Sequence, residues 1–326
     1  MIDIFGTLGP ACANADTLEL MLRRGMTGVR LNLSHVTLPE SAAWVSALHE
    51  AAGRCGVVPK LLIDMQGPEL RIGALREPME LVEGETVAFG PDGIPVAPQI
   101  REALTPGQDV LLDDGKLLLR MRPDGLADVV RGGELHSRKS IALPGVTLRL
   151  PALTETDLSN LAVAKEYGVT GLMQPFVRSR EDLLAVREAL RQAGAEDLQL
   201  YAKVENQAGL QTLDTLLDVA DEIVIARGDL GNAVPLWDLP GVQKRIAKAC
   251  RAAYKPFMVV TQMLASMERS PVPTRAEVSD IFNAVLDGAT SVMVTGETAV
   301  GAYPVEAITY LTETVQAAER YLGIGG

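Results

Sequence analysis

The sequence is poor in the residues that build disulfide frameworks and soft metal sites. Its 326 residues include only three cysteines, Cys12, Cys55 and Cys250, and three histidines. The cysteines show no CxxC or zinc-type spacing, so a disulfide-rich fold and a Cys/His metal site are excluded and packed, reduced thiols are expected. The histidines share no spacing with one another, and none is assigned a catalytic role.

Long apolar runs and an excess of basic residues are also missing. No stretch is long enough to span a bilayer, and residues 1–6 lack the basic and apolar regions of a signal peptide. The net charge of −12 opposes binding to nucleic acid and to anionic membranes. We therefore expect a soluble, cytoplasmic protein that binds neither, and in which an anionic ligand needs a local cluster of cations or metal.

What the sequence does contain is a regular alternation of short apolar runs with amphipathic helical stretches. The runs are apolar on both faces, as in strands that helices cover on both sides. Eight such units predict a closed parallel barrel of the α/β class, the (β/α)8 TIM barrel. The predicted strands span residues 2–5, 28–33, 59–64, 170–174, 198–204, 222–226, 256–261 and 291–294.

Helix starts fall between these strands. A hydroxyl residue followed three positions later by a carboxylate is typical of a capping box, which satisfies unpaired amides of the first helical turn. The pairs are Thr154 with Asp157, Ser179 with Asp182, and Thr274 with Glu277.

One segment interrupts the alternation. From about residue 72 to 142 the chain is rich in Gly, Pro and Asp, and Asp114-Gly115 and Asp124-Gly125 indicate hairpin turns. We predict a small all-β barrel domain, residues 72–142, inserted after strand 3 of a catalytic barrel formed by residues 1–71 and 143–326. An insertion there lies over the usual active-site face and can act as a lid.

Polar side chains collect at the C-terminal ends of the predicted strands, which meet at one mouth of a barrel. Lys203 and Glu205 lie two residues apart and so point the same way, and Asp229 follows the next strand. A Lys/Glu pair inside a barrel can be a structural ion pair. Two hard carboxylates with open positions also suit Mg²⁺ or Mn²⁺, and an adjacent lysine can neutralise a transferring phosphoryl group.

Other strand ends carry two arginines and several oxygen donors. A single arginine is ordinarily a surface ion-pair partner, but Arg30 and Arg71 on the face of a carboxylate-held metal suit anionic substrate oxygens. Asn32, Ser34 and Asp64 offer hard oxygen ligands for a monovalent or divalent cation, or cap loops.

Two further features are less specific. Thr261 and Thr295 are hydroxyl residues at adjacent strand ends, where they either bond to backbone or relay a proton through water. The short Gly132-Gly133 step cannot form a nucleotide loop of the dinucleotide or P-loop kind.

In their order and spacing, these strand-end motifs resemble the pyruvate kinase family from the start of the chain to its end. The resemblance implies a (β/α)8 barrel with an inserted β-barrel lid. It also implies phosphoryl transfer from phosphoenolpyruvate to ADP, giving pyruvate and ATP. The matching stretches include Gly6-Thr-Leu-Gly-Pro10, Arg30-Leu-Asn-Leu-Ser-His35, Gly67-Pro-Glu-Leu-Arg71, Leu150-Pro-Ala-Leu-Thr-Glu155, Lys203-Val-Glu-Asn206, Ala226-Arg-Gly-Asp-Leu-Gly231, Thr261-Gln-Met-Leu264, Pro273-Thr-Arg-Ala-Glu-Val-Ser-Asp280 and Gly296-Glu-Thr298.

The resemblance assigns roles in catalysis. It implies that Glu205 and Asp229 hold magnesium (or manganese), that Lys203 stabilises the moving phosphoryl group, and that Thr261 lies near the enolate carbon. Lys203, Asp229 and Thr261, with Gly228, are then the substrate-binding residues. The implied catalytic residues are Lys203, Thr261 and Arg30, and the implied phosphate and nucleotide contacts are Arg30, Arg71 and Lys139.

The resemblance also implies a potassium site. Its ligands would be Asn32, Ser34, Asp64 and the Met65 carbonyl. In this family a glutamate at the position of Glu69 accompanies potassium dependence, whereas a lysine there replaces the ion, so a potassium requirement is predicted.

Departures from the family pattern lie around this set. Gln66 stands where a basic residue is usual, Gln174-Pro175 where Ala-Ser is usual, and Asn232-Ala233 where Val-Glu is usual. The pocket changes leave a second hypothesis open, namely a non-catalytic homologue or one of altered specificity.

A third hypothesis is a metal-dependent aldolase or lyase of the phosphoenolpyruvate/pyruvate barrel group, which uses a similar carboxylate pair. The lid with Lys139, together with Lys203 and Thr261, favours the kinase, because an aldolase has little need of a nucleotide lid.

The end of the chain departs further from the family. Val300 and Ala302 replace the usual lysines, and the sequence ends at Gly326. We expect the family's C-terminal regulatory domain and its effector site to be absent. A homodimer through barrel helices near residues 274–280 is compatible with the resemblance.

Overall fold

The computed structural model describes residues 2–34, 36–113, 115–146, 148 and 150–324. Within them, the strands in chain order are β1 (Asp3–Thr7), β2 (Gly28–Asn32), β3 (Lys60–Asp64), β4 (Met79–Leu81), β5 (Thr86–Ala88), β6 (Asp109–Leu112), β7 (Leu117–Met121), β8 (Leu126–Arg131), β9 (Gly133–Leu135), β10 (Ile141–Ala142), β11 (Gly171–Gln174), β12 (Gln199–Val204), β13 (Glu222–Ala226), β14 (Phe257–Val260) and β15 (Ser291–Met293).

Twelve α-helices and two short 3-10 helices accompany the strands in the described ranges. The α-helices are α1 (Ala15–Arg23), α2 (Ala42–Cys55), α3 (Pro98–Ala103), α4 (Glu155–Val163), α5 (Arg180–Gln192), α6 (Gln207–Gln211), α7 (Leu213–Leu216), α8 (Arg227–Ala233), α9 (Leu239–Ala252), α10 (Arg275–Leu286), α11 (Gly296–Ala299) and α12 (Pro304–Leu322), and the 3-10 helices cover Pro39–Ser41 and Ala265–Glu268. None of the helices in this part of the chain combines the length and apolar character that a membrane span needs.

Eight parallel strands close into a barrel in the order β1-β15-β14-β13-β12-β11-β3-β2. The predicted (β/α)8 barrel is therefore confirmed, and each predicted strand coincides with an observed one to within a few residues. The strand predicted to reach residue 261 ends instead at Val260. Its pairing stops there because the backbone at Thr261 turns into the left-handed region, where φ is 77°.

Large side chains fill the interior of the barrel. One hydrophobic cluster consists of residues from the barrel strands alone, including Phe5, Leu62, Met173, Tyr201 and Met258. A larger cluster packs the outer faces of the strands against the surrounding helices. Burial of each such Leu, Met or Phe side chain contributes roughly 1.5–3 kcal/mol, so the barrel is a packed core that fixes the strand ends above it.

The segment between β3 and α4 has a hydrophobic core of its own, which runs from Ile72 to Leu143. Its strands are antiparallel and form a five-stranded sheet, β10-β6-β7-β8-β5, and a separate pair, β4-β9. The segment differs from the expected all-β barrel in two details. Its described strands form two sheets, and it contains helix α3. That helix begins at Pro98, whose fixed φ suits a first helical position.

The turn predicted at Asp114-Gly115 follows β6, but Asp114 lies outside the described residues. The neighbouring Gly115 has a φ of 80°, as a hairpin glycine requires. The boundaries at residues 72 and 142 stay a prediction.

Two of the three predicted capping boxes are present. The Thr154 side chain accepts the amide of Asp157 while the Asp157 carboxylate accepts the amide of Thr154, and Thr274 and Glu277 form the same box at α10. The third prediction is wrong, because Ser179 makes no side-chain cap bond. The Asp182 carboxylate instead accepts hydrogen bonds from the backbone and guanidinium of Arg178, so it is not available to the helix start.

Candidate active site

A buried carboxylate at the end of β3 joins two cations, one from the adjacent strand β2 and one from β12, which lies beyond β11 in the barrel. The Asp64 Oδ2 atom accepts hydrogen bonds from Arg30 Nη2 at 2.6 Å and from Arg30 Nε at 2.8 Å. The same oxygen lies 3.0 Å from Lys203 Nζ. Because β2, β3 and β12 are parallel barrel strands, their C-terminal ends bring together residues that lie far apart in the sequence.

Opposite charges keep this buried cluster ionised. Burial alone would favour the neutral form of Asp64, but the charges of Lys203 and Arg30 outweigh it and hold the pKa of the carboxyl below its usual range. Burial likewise disfavours the charged form of Lys203, but Asp64 and Glu205 raise the pKa of its ammonium well above the ordinary value. The site therefore carries a permanent cation beside two carboxylates.

The predicted metal carboxylates lie beside this lysine. Glu205, which directly follows β12, is 3% exposed, and its Oε1 atom lies 3.0 Å from Lys203 Nζ. Its Oε2 atom accepts the backbone N–H of Phe176 at 2.8 Å. Asp229 lies in the first turn of α8, and its charge also acts to raise the pKa of Lys203. Lys203, Glu205 and Asp229 thus form one electrostatic unit.

A cavity of about 420 Å³ opens next to both carboxylates. Glu205, Asn206 and Asp229 line it from the barrel, while Gly115 and Ser140 line it from the inserted segment. The insert therefore borders the same space as the barrel mouth. A molecule held at Glu205 and Asp229 would be in contact with both parts of the chain.

The donor set at this cavity suits a hard divalent ion with open coordination positions. Among the described residues, no group of three or more His, Cys, Asp or Glu side chains is arranged to hold a metal. Two carboxylates fit magnesium, which keeps several waters and takes further ligands from substrate oxygens. An ionised carboxylate has about four lone-pair sites, so Glu205 retains acceptor capacity beside its two protein partners.

Thr261, the predicted proton-relay residue, follows β14 in an unusual backbone conformation. Its φ is 77°, and that of Gln262 is 55°. A β-branched residue in this region is a genuine outlier, with a cost on the order of 1–3 kcal/mol. A Cβ atom added at Gly228 would lie 3.1 Å from Thr261 Cγ2, so the threonine side chain packs directly against the Gly228-Asp229 turn.

The predicted nucleotide contacts lie in ion pairs at the base of the insert. Arg71 forms a forked contact with Glu69, at 2.7 and 2.9 Å, and donates to the Arg138 carbonyl. The Lys139 ammonium lies 2.8 Å from Asp113. The Lys139 carbonyl accepts the N–H of the residue that follows Arg71, so the two cations stand on adjacent backbone segments. Arg30, in contrast, belongs to the Asp64 cluster.

The predicted potassium ligands also have protein partners. The Asn32 Oδ1 atom accepts the backbone N–H of Ser34 at 3.1 Å, and both oxygens of Asp64 accept from Lys203. Met65 is buried at the end of β3, where its N–H donates to the Met173 carbonyl. These oxygens are hard donors of the right chemistry, but a monovalent cation there would share Asp64 with two protein cations.

The residues that depart from the family pattern support the loop after β3. The Gln174 amide nitrogen donates to the Ala152 carbonyl at 2.7 Å, and a Cβ atom at Gly67 would meet the Pro175 ring at 2.6 Å. The backbone N–H groups of Gln66 and Gly67 donate to the two oxygens of Asp157. Gln66, which belongs to this loop, therefore contacts Asp157 through its backbone.

Sequence reasoning missed several residues that organise the site. Asp157 was read only as a helix cap, although it also holds the loop after β3. Glu297, buried after β15, accepts the N–H groups of Thr295 and Leu264, and so joins two strand ends. Arg227 binds the backbone at Thr261. The only sequence signal of Glu297 and Arg227 was a charged residue next to a strand end, whereas that of Asp157 was the capping-box pattern at α4.

Comparison with known proteins identifies the family. Residues 1–308 match the family described as pyruvate kinase, barrel domain. The chain belongs to the pyruvate kinase family. It is 36% identical to a pyruvate kinase of Bacillus licheniformis over 97% of this chain and 57% of that protein. The corresponding values for a pyruvate kinase of Geobacillus stearothermophilus are 37%, 97% and 56%, and for one of Clostridium acetobutylicum 34%, 96% and 69%.

The chain thus spans little more than half the length of the first two of these pyruvate kinases. The family match at residues 1–308 contains all eight barrel strands and the inserted segment. The predicted family is confirmed, and the match does not favour the aldolase or lyase hypothesis.

Proposed function

We propose that this protein transfers the phosphoryl group of phosphoenolpyruvate to ADP, giving pyruvate and ATP. The observation that carries this proposal is the buried Lys203 ammonium, which contacts Asp64 and also Glu205, and Glu205 lines the same cavity as Asp229. A buried, charged lysine beside two magnesium-type carboxylates is suited to an anionic phosphoryl group in transfer.

In this proposal the bond between phosphorus and the enol oxygen of phosphoenolpyruvate breaks, and a bond from phosphorus to a terminal oxygen of ADP forms. Magnesium or manganese, held by Glu205 and Asp229, would supply positive charge next to the phosphoryl oxygens. Lys203 neutralises charge on the moving group, and Arg30, which shares Asp64 Oδ2 with Lys203, binds its oxygens.

The enolate left by this step takes a proton at its terminal carbon and becomes pyruvate. Thr261 is the proposed relay for that proton, because its side chain packs against the Gly228-Asp229 turn that borders the substrate position. Gly228, Asp229, Thr261 and Lys203 are the proposed substrate contacts. Arg30, Arg71 and Lys139 are the proposed nucleotide contacts, and the last two become available if their present ion pairs open.

A potassium requirement is part of the proposal. Its ligands would be Asn32, Ser34, Asp64 and the Met65 carbonyl. Support comes from the hard oxygen chemistry of this set and from Glu69, which stands where a lysine would take the place of the ion.

We further propose that the insert acts as a lid and that α10 can pair with a second copy of the chain. The lid proposal rests on the shared cavity. The dimer proposal rests on exposure around the start of α10, where Val272 is 53% exposed and residues 274–276 are also exposed. A cytoplasmic location stays a prediction of the sequence.

Pyruvate release coupled to ATP formation tests the function. The assay contains phosphoenolpyruvate, ADP, magnesium and potassium, and it is repeated with manganese and with other nucleoside diphosphates. Turnover that is lost in Glu205→Ala supports the proposal. Binding of phosphoenolpyruvate without turnover under every combination would instead favour a non-catalytic homologue.

A further inference from the structure

Arg227 is a largely buried arginine at the start of α8, directly before Gly228 and Asp229, and the proposed chemistry gives it no role. Its guanidinium donates through Nη2 to the Thr261 carbonyl at 2.7 Å and through Nε to the same carbonyl at 3.2 Å. Its Nη1 atom donates to Asp280 Oδ2 at 2.6 Å. One side chain therefore ties the end of β13 to the turn after β14 and to helix α10.

The turn that Arg227 binds is strained. Thr261 and Gln262 both have positive φ, although neither is a glycine. Such a conformation persists only where surrounding contacts over-determine it. The forked contact from Arg227 to the Thr261 carbonyl is a contact of that kind, because it fixes the peptide plane after Thr261.

The strained turn also decides where the threonine side chain points. With this backbone, Thr261 Cγ2 stands close enough to Gly228 that a Cβ atom there would be 3.1 Å away. A relaxed, extended backbone at residue 261 would continue β14 and turn the side chain away from its present direction. The contact between Thr261 and the Gly228-Asp229 turn therefore depends on the backbone strain.

We propose that Arg227, anchored by Asp280, is a positioning residue that holds the Thr261 turn and so aims its hydroxyl at the substrate. This inference rests on the proposed function, in which Thr261 relays a proton to the enolate carbon. Arg227 itself touches neither substrate nor reacting atoms.

Arg227→Lys tests the proposal, because lysine keeps the charge but lacks the planar fork that reaches a carbonyl and a carboxylate at once. Arg187→Lys is the matched control. Arg187 also binds a backbone carbonyl and an aspartate, Val219 and Asp221, but it does so at the opposite end of β13.

The first measurement is structural and does not depend on activity. Crystal structures of wild type and the Arg227→Lys variant should show Thr261 leaving the left-handed region in the variant. Retention of the same turn would overturn the proposal, whether or not the wild-type protein is a kinase. If the lysine variant does not fold, Asp280→Asn provides the second variant, since it keeps Arg227 and removes its anchor.

The second measurement separates proton transfer from phosphoryl transfer. Exchange of the pyruvate methyl protons with D2O, followed by NMR with magnesium, potassium and ATP, reports the proton step alone. In Arg227→Lys this exchange should fall about 100-fold, as expected for a catalytic group displaced by about 1 Å, and KM for phosphoenolpyruvate should stay within about threefold of wild type. The Arg187→Lys control should match wild type.

A double-mutant comparison completes the test. In a Thr261→Ala background, Arg227→Lys should lower the rate of proton exchange by no more than about a further threefold. The effects of residues that act as a unit are not additive. A full additional loss would show that Arg227 acts independently of Thr261 and would overturn the inference. A wild-type protein with neither ATP formation nor proton exchange would instead refute the proposed function, while the crystal structures would still decide the role of Arg227.

Discussion

The Lys203 ammonium lies 3.0 Å from Asp64 Oδ2, and this contact joins residues that are 139 positions apart in the chain. Arg30 contacts the same oxygen of Asp64, so one carboxylate bridges two cations that are proposed to receive a phosphoryl group. The arrangement keeps both cations in place before an anion arrives. It also means that each member of the cluster affects folding as well as chemistry.

Lys203→Met should nearly abolish phosphoryl transfer. Methionine matches the length of the side chain without its charge, so the transferring group loses a preorganised cation. We expect kcat to fall roughly 100- to 1,000-fold, the loss typical of removing one such donor. The measurement is steady-state ATP formation. Lys244→Met, which removes an exposed lysine paired with Asp287, is the control and should retain wild-type kcat. Equal activity in both variants would contradict the assignment.

Asp64→Ala should destabilise the fold substantially. It leaves the Arg30 and Lys203 charges buried without the carboxylate between them, a change that commonly costs 3–5 kcal/mol, or ~4 kcal/mol at the midpoint of that range. The midpoint of urea unfolding, followed by circular dichroism, reports this loss. Asp287→Ala breaks the pair with the exposed Lys244 and should cost about 1 kcal/mol at most. A similar shift in both variants would show that the cluster is not a special contributor to stability.

Glu205→Gln and Asp229→Asn should weaken divalent-metal binding. Each change removes a hard anionic ligand from a site that has only two in this proposal. Titration with Mn²⁺, followed by electron paramagnetic resonance, should show a clear rise in Kd for each variant, and excess EDTA should abolish activity of the wild type. Glu196→Gln, outside the cavity, serves as the control. Unchanged manganese binding in either site variant would exclude that residue as a ligand.

Whether activity requires potassium should depend on which side chain stands at position 69. Omission of potassium from a complete assay should remove most activity of the wild type, and Glu69→Lys should make activity largely independent of the ion. The variant also breaks the forked contact of Glu69 with Arg71, so Glu69→Gln is needed to separate the two effects. Glu69→Gln removes the negative charge of the pair with Arg71 without introducing a cation, so this variant should remain potassium-dependent. Full wild-type activity without potassium would contradict the proposed site.

Glu222 should make stability depend on pH. This side chain lies at the N-terminal end of the barrel, where burial and, to a lesser extent, Asp3 raise its pKa from 4.5 to about 7 against the opposing effects of Ser291, Lys60 and Thr290. The folded state therefore holds the proton more tightly than the unfolded state. The resulting stabilisation is fully present below about pH 4.5 and is lost as the pH rises through about 7.

The size of this effect follows from the shift in the Glu222 pKa. One unit corresponds to roughly 1.4 kcal/mol, so the free energy of unfolding should fall by on the order of 2–3 kcal/mol across that range. Urea unfolding of Glu222→Gln and of the exposed control Glu313→Gln, compared from pH 5 to pH 8, measures it. The slope of the free energy of unfolding against pH should flatten in Glu222→Gln and stay unchanged in Glu313→Gln. Parallel pH profiles in wild type and Glu222→Gln would refute the assignment.

The sequence by itself determined the barrel and its strand ends. Eight short runs that are apolar on both faces have few solutions other than a parallel sheet covered by helices, and a closed barrel leaves no exposed edge. Local chemistry also determined the helix starts at Thr154 and Thr274, because a capping box is made within four residues. The pairing of Lys203 with Glu205 likewise followed from their spacing of two in a strand.

Tertiary structure alone decided how distant side chains share partners. Ser179 and Asp182 have the pattern of a capping box, but Asp182 binds Arg178, whose guanidinium is held in place by the distant carbonyls of Leu148 and Leu150. The ion pair of Arg30 with Asp64 depends on which strand ends become neighbours when the barrel closes, and that of Arg227 with Asp280 depends on how α10 packs beside the start of α8. The positive φ of Thr261 has no local signal, because threonine disfavours it. That conformation exists only because contacts from Arg227 and the packing of the turn compensate for the backbone strain at Thr261.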